Sequence, residues 1–200
     1  ISLTSRILAV NILALLLLAG GFFYLDSYRS RIVDSRIAQA RREARLIGEA
    51  LAMGEPGQRD ALIMRLADDT GARIRIFAVN GRTLVDSRVL GVRNFVLLDP
   101  DKQGWDQRVA RLLDGGIDTI VNARRAPLYR ERRDGRVWPD VEAAQTRSVV
   151  AARVWRAPDR TPVITAAAPL PRGAVVMTTI NASDITQTVR IERYRLSLVL

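Results

Sequence analysis

The spacing of apolar positions changes period along the chain. From Ile7 to Leu25 the residues run apolar without one charge, and Asn11 is the only strongly polar side chain among them. About twenty apolar residues in helix cross a ~30 Å hydrocarbon core. Tyr24 and Tyr28 lie at one end, where amphipathic rings suit the headgroup layer. Thr4 or Ser5 can cap the helix start, and Arg6 can snorkel to a headgroup. Beyond the run, Leu25, Tyr28, Ile32, Ala40, Ala44, Ile47 and Leu51 fall mostly three or four apart. That spacing makes one apolar stripe on a helix, with Arg29, Arg31, Arg36, Arg41, Arg42 and Arg45 on the opposite face. The pattern predicts a single helix that leaves the bilayer and continues to the breaker Gly54-Glu55-Pro56-Gly57. Ala40 and Ala44 permit a close neighbour, either the helix's own domain or the same helix of a second subunit.

Arg59 to Asp69 predicts a second helix with Leu62, Ile63 and Leu66 inward and Gly71 as its C-cap. The period then falls to two. Ala72 to Val79 alternates Ile74, Ile76 and Ala78 against Arg73, Arg75 and Phe77. Asn80-Gly81 predicts a type I′ hairpin turn, with Arg82 to Ser87 returning as the second strand. Three more strands are expected at Val149–Arg156, Pro162–Leu170 and Ala174–Ile180. Between the two strand groups, Asn94 to Leu98 reads as a strand, Trp105 to Leu113 and Ile117 to Ala123 as helical pieces, and Pro139 with Val141 to Thr146 as a short helix. After Ile180, Asn181 or Ser183 caps a helix that runs into the apolar Leu196 to Leu200, read as the start of a second span. The expected class is α+β. A transmembrane helix continues into a long helix, then a PAS/PDC-like five-stranded antiparallel sheet with helices on one side, then a second transmembrane helix. The divisions are 1–25 (tail and first span), 26–190 (sensor domain) and 191–200 (second span).

Composition narrows the chemistry. A cleaved signal peptide is the alternative for the N-terminus, but its apolar region is usually 7–15 residues and ends in a small-x-small site. Here bulky Phe22, Phe23, Tyr24 and Leu25 follow Gly20-Gly21. The chain opens on Ile1 and stops within an apolar run, so a fragment of a longer protein is expected. There is no cysteine, which removes disulfides, thiolate metal sites and thiol nucleophiles. There is no histidine either, which removes the commonest general base and metal ligand. Any pH response must therefore come from carboxylates with shifted pKa. The net charge of +10 is almost all arginine. No groove-reading motif or aromatic platform accompanies it, so nucleic acid is not an expected partner. Arg124, Arg125, Arg130, Arg132 and Arg133 are candidates for docking an acidic partner or lipid headgroups, against the alternative of a solvated loop. Trp105, Trp138, Trp155 and Tyr129 either line a pocket or pack the core. Asp99, Asp101, Asp106, Asp114 and Asp118, in the irregular insert, are candidate proton sensors. No GxSxG, HExxH or paired nucleophile and base is present, so no catalytic, cofactor or metal residue is assigned.

Four stretches resemble the N-terminal region of the ChvG/ExoS-type sensor histidine kinases of alpha-proteobacteria. They are SLTSRILAVNILALLLLAGGFFYLDSYR from Ser2, ARIRIFAVNGRTLVDSR from Ala72, APLYRE from Ala126 and ITAAAPLPRGAVVMTTINASDI from Ile164. Each is modest alone; their order and spacing carry the match. The resemblance implies an inner-membrane receptor with a periplasmic sensor domain that answers an envelope or acid stimulus. It also implies a periplasmic regulatory protein and, through a missing kinase part that binds ATP and Mg, a cytoplasmic response regulator, while the stripe Tyr28, Ile32, Ala40, Ala44 and Ile47 predicts a homodimer with this helix near the two-fold axis. Charge alone points the other way on topology, because Arg6 flanks one side of the span and Arg29, Arg31 and Arg36 the other. The periplasmic side is what the resemblance implies. Two alternatives are the same sensor with another output, such as a chemoreceptor or cyclic-dinucleotide enzyme, and a membrane-anchored binding protein.

Overall fold

The computed structural model describes residues 3–95, 126–159 and 161–182. Helix α1 runs unbroken from Leu3–Met53, about 75 Å at 1.5 Å per residue. Its first part, Leu3–Gly21, is long and apolar enough to cross a membrane and is not buried against the rest of the described residues. Gly54 and Pro56 break it as the sequence predicts, and α2 follows at Arg59–Thr70. Gly71 closes α2 in the left-handed conformation at φ 65°, which a side chain would strain.

The five expected strands form one antiparallel sheet: β1 Arg73–Phe77, β2 Thr83–Asp86, β3 Ala151–Arg156, β4 Pro162–Pro169 and β5 Val175–Asn181. Their order is β2-β1-β5-β4-β3, so the first and last strands pair at the centre of the sheet. A third helix, α3, spans Pro139–Arg147 between β2 and β3, with Pro139 in its first turn.

Three expectations need correction. Helices cover both faces of the sheet, not one. On one face Ala40, Ala44, Ile47 and Leu51 of α1 and Ile63 and Ala67 of α2 pack on Ile74, Ile76, Ile164, Ala166 and Val176. On the other, Val141 and Ala144 of α3 with Trp138 and Tyr129 pack on Phe77, Val163, Ala167, Val175 and Met177. The central strands are buried on both sides, and a sheet with two apolar faces needs a layer over each. The Asn80-Gly81 turn is also not type I′. Only Gly81 has positive φ (81°), while the Gly81 amide bonds the Ala78 carbonyl and the Ala78 amide bonds the Arg82 carbonyl. That is a three-residue loop, a type I turn followed by a left-handed glycine. Finally, of the strand expected over Asn94 to Leu98 only Asn94 and Phe95 lie among the described residues, and they are not in a strand: Asn94 donates its side-chain amide to the Ala67 carbonyl and Phe95 turns into the core.

The small-residue stripe finds its neighbour inside the domain. Ala44 is fully buried, and a Cβ on Gly48 would sit 3.4 Å from Ala168 Cβ. Ile32 and Ile37, farther back along α1, join the cluster that contains Ile180 and Ala182.

Candidate functional site

Beneath α3 a polar seam crosses the sheet. The register sets Arg73 of β1, Thr179 of β5, Thr165 of β4 and Arg153 of β3 side by side. Alternation along each strand turns all four to the α3 face. At one end Arg73 forms a bidentate pair with Asp86, 3.0 and 2.6 Å, and a second ion pair with Glu131 at 2.9 Å. Burial opposes the Arg73 charge, but these two acids outweigh it and hold its pKa above the ordinary arginine value. Burial likewise works against the Asp86 carboxylate, and Arg73 overrides it, keeping Asp86 below the usual carboxylate range.

Arg75 is different. It is 2% exposed and has no carboxylate in contact among the described residues. Its guanidinium donates to the Arg132 carbonyl at 3.0 Å and lies over the Trp138 ring (5.0 Å) and the Phe77 ring (5.5 Å). Burial pulls its pKa below the ordinary arginine value, and arginine stays charged in proteins regardless. A buried cation is thus held by aromatic faces and a carbonyl. Phe95, Tyr129, Trp138 and Trp155 form a chain of edge and tilted ring contacts, with centroids 5.4–5.6 Å apart, around this seam. Tyr129, Trp138 and Trp155 are therefore core packing. Trp105 lies outside the described residues.

At the other end of the seam is Asp140, in the first turn of α3 and 3% exposed. Neither carboxylate oxygen makes a well-formed hydrogen bond among the described residues. Burial pushes its pKa up; the Thr165 hydroxyl, the first amides of α3 and Arg153 pull the other way and do not win. Thr165 accepts from Trp155 Nε1 at 2.8 Å, which leaves its hydroxyl proton to donate toward Asp140. A cleft of about 330 Å³ lies between α3 and β3 over this group, with Glu142, Thr146, Arg147 and Arg153 on its walls.

The residues singled out from the sequence fall differently. Asp99, Asp101, Asp106, Asp114, Asp118, Arg124 and Arg125 lie outside the described residues, as does 191–200. Arg130, Arg132 and Arg133 are exposed. The backbone of their segment is nevertheless fixed. The Arg132 carbonyl accepts from Arg75 and Trp138, and the Arg133 carbonyl accepts from the Thr83 hydroxyl at 2.7 Å. The Gly135 amide bonds the Gly81 carbonyl at 2.7 Å. Sequence reading missed Arg73, Arg75 and Asp140 as interior groups. The one available signal was that Arg73 and Arg75 alternate with isoleucines in a strand that also carries Phe77. The described residues hold no cluster of acids suited to a metal ion.

An apolar helix runs without a break into the core of a sheet domain, and residues 1–57 match the family model of the sensor N-terminal transmembrane domain. Over 96% of its length the chain is 25% identical to the sensor protein ChvG of Agrobacterium fabrum, and equally so to the sensor protein ChvG of Rhizobium meliloti. It spans about 40% of the length of these relatives. No solved structure matches it significantly. The chain is an inner-membrane protein, as the apolar helix and these matches agree.

Proposed function

We propose that this chain is the periplasmic, PAS-like sensory region of a two-component histidine kinase, with a second span at 191–200 leading to a cytoplasmic kinase. The observation that carries the reading is α1 itself. One helix holds both the membrane span and the residues Ala40, Ala44, Ile47 and Leu51 that cement the sheet, so a change in the domain reaches the bilayer without a hinge. The sheet order β2-β1-β5-β4-β3 supports the PAS-like assignment. Small shifts of two such helices suffice to carry a two-state signal across a membrane. ATP and Mg belong to the kinase part, and a response regulator is its cytoplasmic partner. The stimulus is acid or envelope stress, delivered directly or through a periplasmic regulatory protein.

The working unit is a homodimer. The stripe Ala40, Ala44 and Ile47 is used up against the chain's own sheet, so the partner helix meets the opposite face, where Leu46 (62% exposed) and Met53 (86%) lie one above the other. The test uses the full-length protein in nanodiscs. Its autophosphorylation should change with external acidification, and replacing residues 26–190 with an unrelated periplasmic domain should abolish the response while leaving activity. Regulated output from the replaced protein, or another enzymatic output, would overturn the proposal.

A further inference from the structure

An acid suits the positive start of a helix, but Asp140 meets it in the interior rather than in water. It sits at the start of α3, its oxygens closed off from solvent and without a well-formed hydrogen bond among the described residues. Among the described residues the charged groups around it are few. Strands β4 and β5 carry none and offer Thr165 and Thr179. Strand β3 offers Arg153, which is exposed and lies over the Trp155 ring at 5.9 Å. Arg136, in the turn before α3, is tied to Asp134 at 2.7 Å. Glu142 and Arg147 of α3 itself are exposed on the cleft walls.

A carboxylate in this setting favours two different positions for the helix that carries it. Neutral, it can stay under α3 and give its proton to the Thr165 oxygen or another acceptor. Ionised, it gains by reaching water, and only movement of α3 lets it do so. The helix is suited to such movement. It is nine residues long, it ends at Ser148 in a left-handed conformation (φ 52°), and one side of it already borders the cleft. Without it β4 and β5 keep their ladder and the α1 layer, and Phe95, Tyr129 and Trp138 of the same cluster still cover part of this face.

We propose that Asp140 is a proton-operated latch that keeps α3 docked on the sheet when protonated and releases it when ionised. The sign follows from linkage. The docked state binds the proton more tightly than the released state, so acidification favours docking. Burial of the acid acts in the same direction. The link from latch to output rests on the sensor reading above; the latch itself does not.

The test is amide hydrogen exchange on the full chain in nanodiscs across pH 4 to 8, with rates corrected for the intrinsic pH dependence of exchange. In the wild type, protection of the Val141–Ala144 amides should rise on acidification by up to tenfold per pH unit, the limit for one linked proton. Asp140→Asn should make α3 protection independent of pH. Arg153→Gln removes a cation that favours the ionised acid, so it should move the midpoint upward even if Asp140→Asn does not fold. Flat α3 protection in the wild type, or a midpoint unmoved in Arg153→Gln, would overturn the latch. Acid-regulated autophosphorylation alongside flat exchange would leave the sensor reading standing and remove only the latch.

Discussion

Two aspartates in the seam are driven in opposite directions by their neighbours. Asp86 faces the Arg73 fork, and its pKa lies below that of an unfolded aspartate. Its stabilising contribution is present above about pH 3.9 and is lost as pH falls through the folded value. Asp140 is buried away from a strong partner and its pKa lies above the unfolded value. Its ionisation destabilises the fold, so stability should rise as pH falls from neutrality toward about 3.9, where that gain is complete. A melting temperature that first climbs and then drops on acidification is the expected outcome in calorimetry. Asp140→Asn should remove the climb and leave the drop. Asp86→Asn leaves Arg73 with Glu131 alone, so the loss should be near the lower end of the ~3–5 kcal/mol that follows from breaking a buried pair, measured by denaturant unfolding. Trp138→Ala removes a ring packed on Tyr129, Trp155 and the Arg75 cation. It should cost about 3–5 kcal/mol.

Among the elements, α1 and the 131–138 segment decide how tightly the layers close. Ala44 is fully buried where α1 meets the sheet, and Leu46, two residues on, faces outward. Ala44→Leu should cost about 1–3 kcal/mol by overpacking, while Leu46→Ala should stay within about 0.5 kcal/mol. Unfolding in urea separates the two. Comparable losses would show that the helix does not use this face against the sheet. Gly135 packs against Phe77: an added Cβ would lie 2.8 Å from the ring. Gly135→Ala should therefore loosen the segment that carries the Arg132 and Arg133 carbonyls, again at about 1–3 kcal/mol. Protease sensitivity between residues 126 and 138 is the direct readout.

At the scale of the whole molecule, membrane and domain share one rigid element. The same helix that spans the apolar core supplies the wall of the domain's larger hydrophobic cluster. Single cysteines along α1 test how copies meet. Disulfide crosslinking in native membranes should peak at Leu46 and Met53 and be absent at Ala40, Ala44 and Ile47, which the sheet covers. A peak at the buried positions would require the sheet to leave α1, and would refute the fold on that face.

Periodicity alone determined much of this protein. The charge-free run, the 3.6-residue stripe after it, the breaker at Gly54-Glu55-Pro56-Gly57 and five period-two stretches each have a local cause, and each appears where its pattern places it. Arg73 and Arg75 were legible as one side of a strand, but not as interior. Whether that side meets water depends on Trp138, Tyr129 and α3, which fold back across it from more than fifty residues away. The same holds for Asp140. An aspartate in a first helical turn is ordinary at the level of sequence, and only its neighbours on β3 and β4 remove it from water. Pairing partners and the covering layer are set by contacts distant along the chain, and no local spacing encodes them. The sequence by itself therefore determined the apolar helix and the helices and strands among the described residues; the tertiary structure decided which charges are buried and which acid burial drives toward its neutral form.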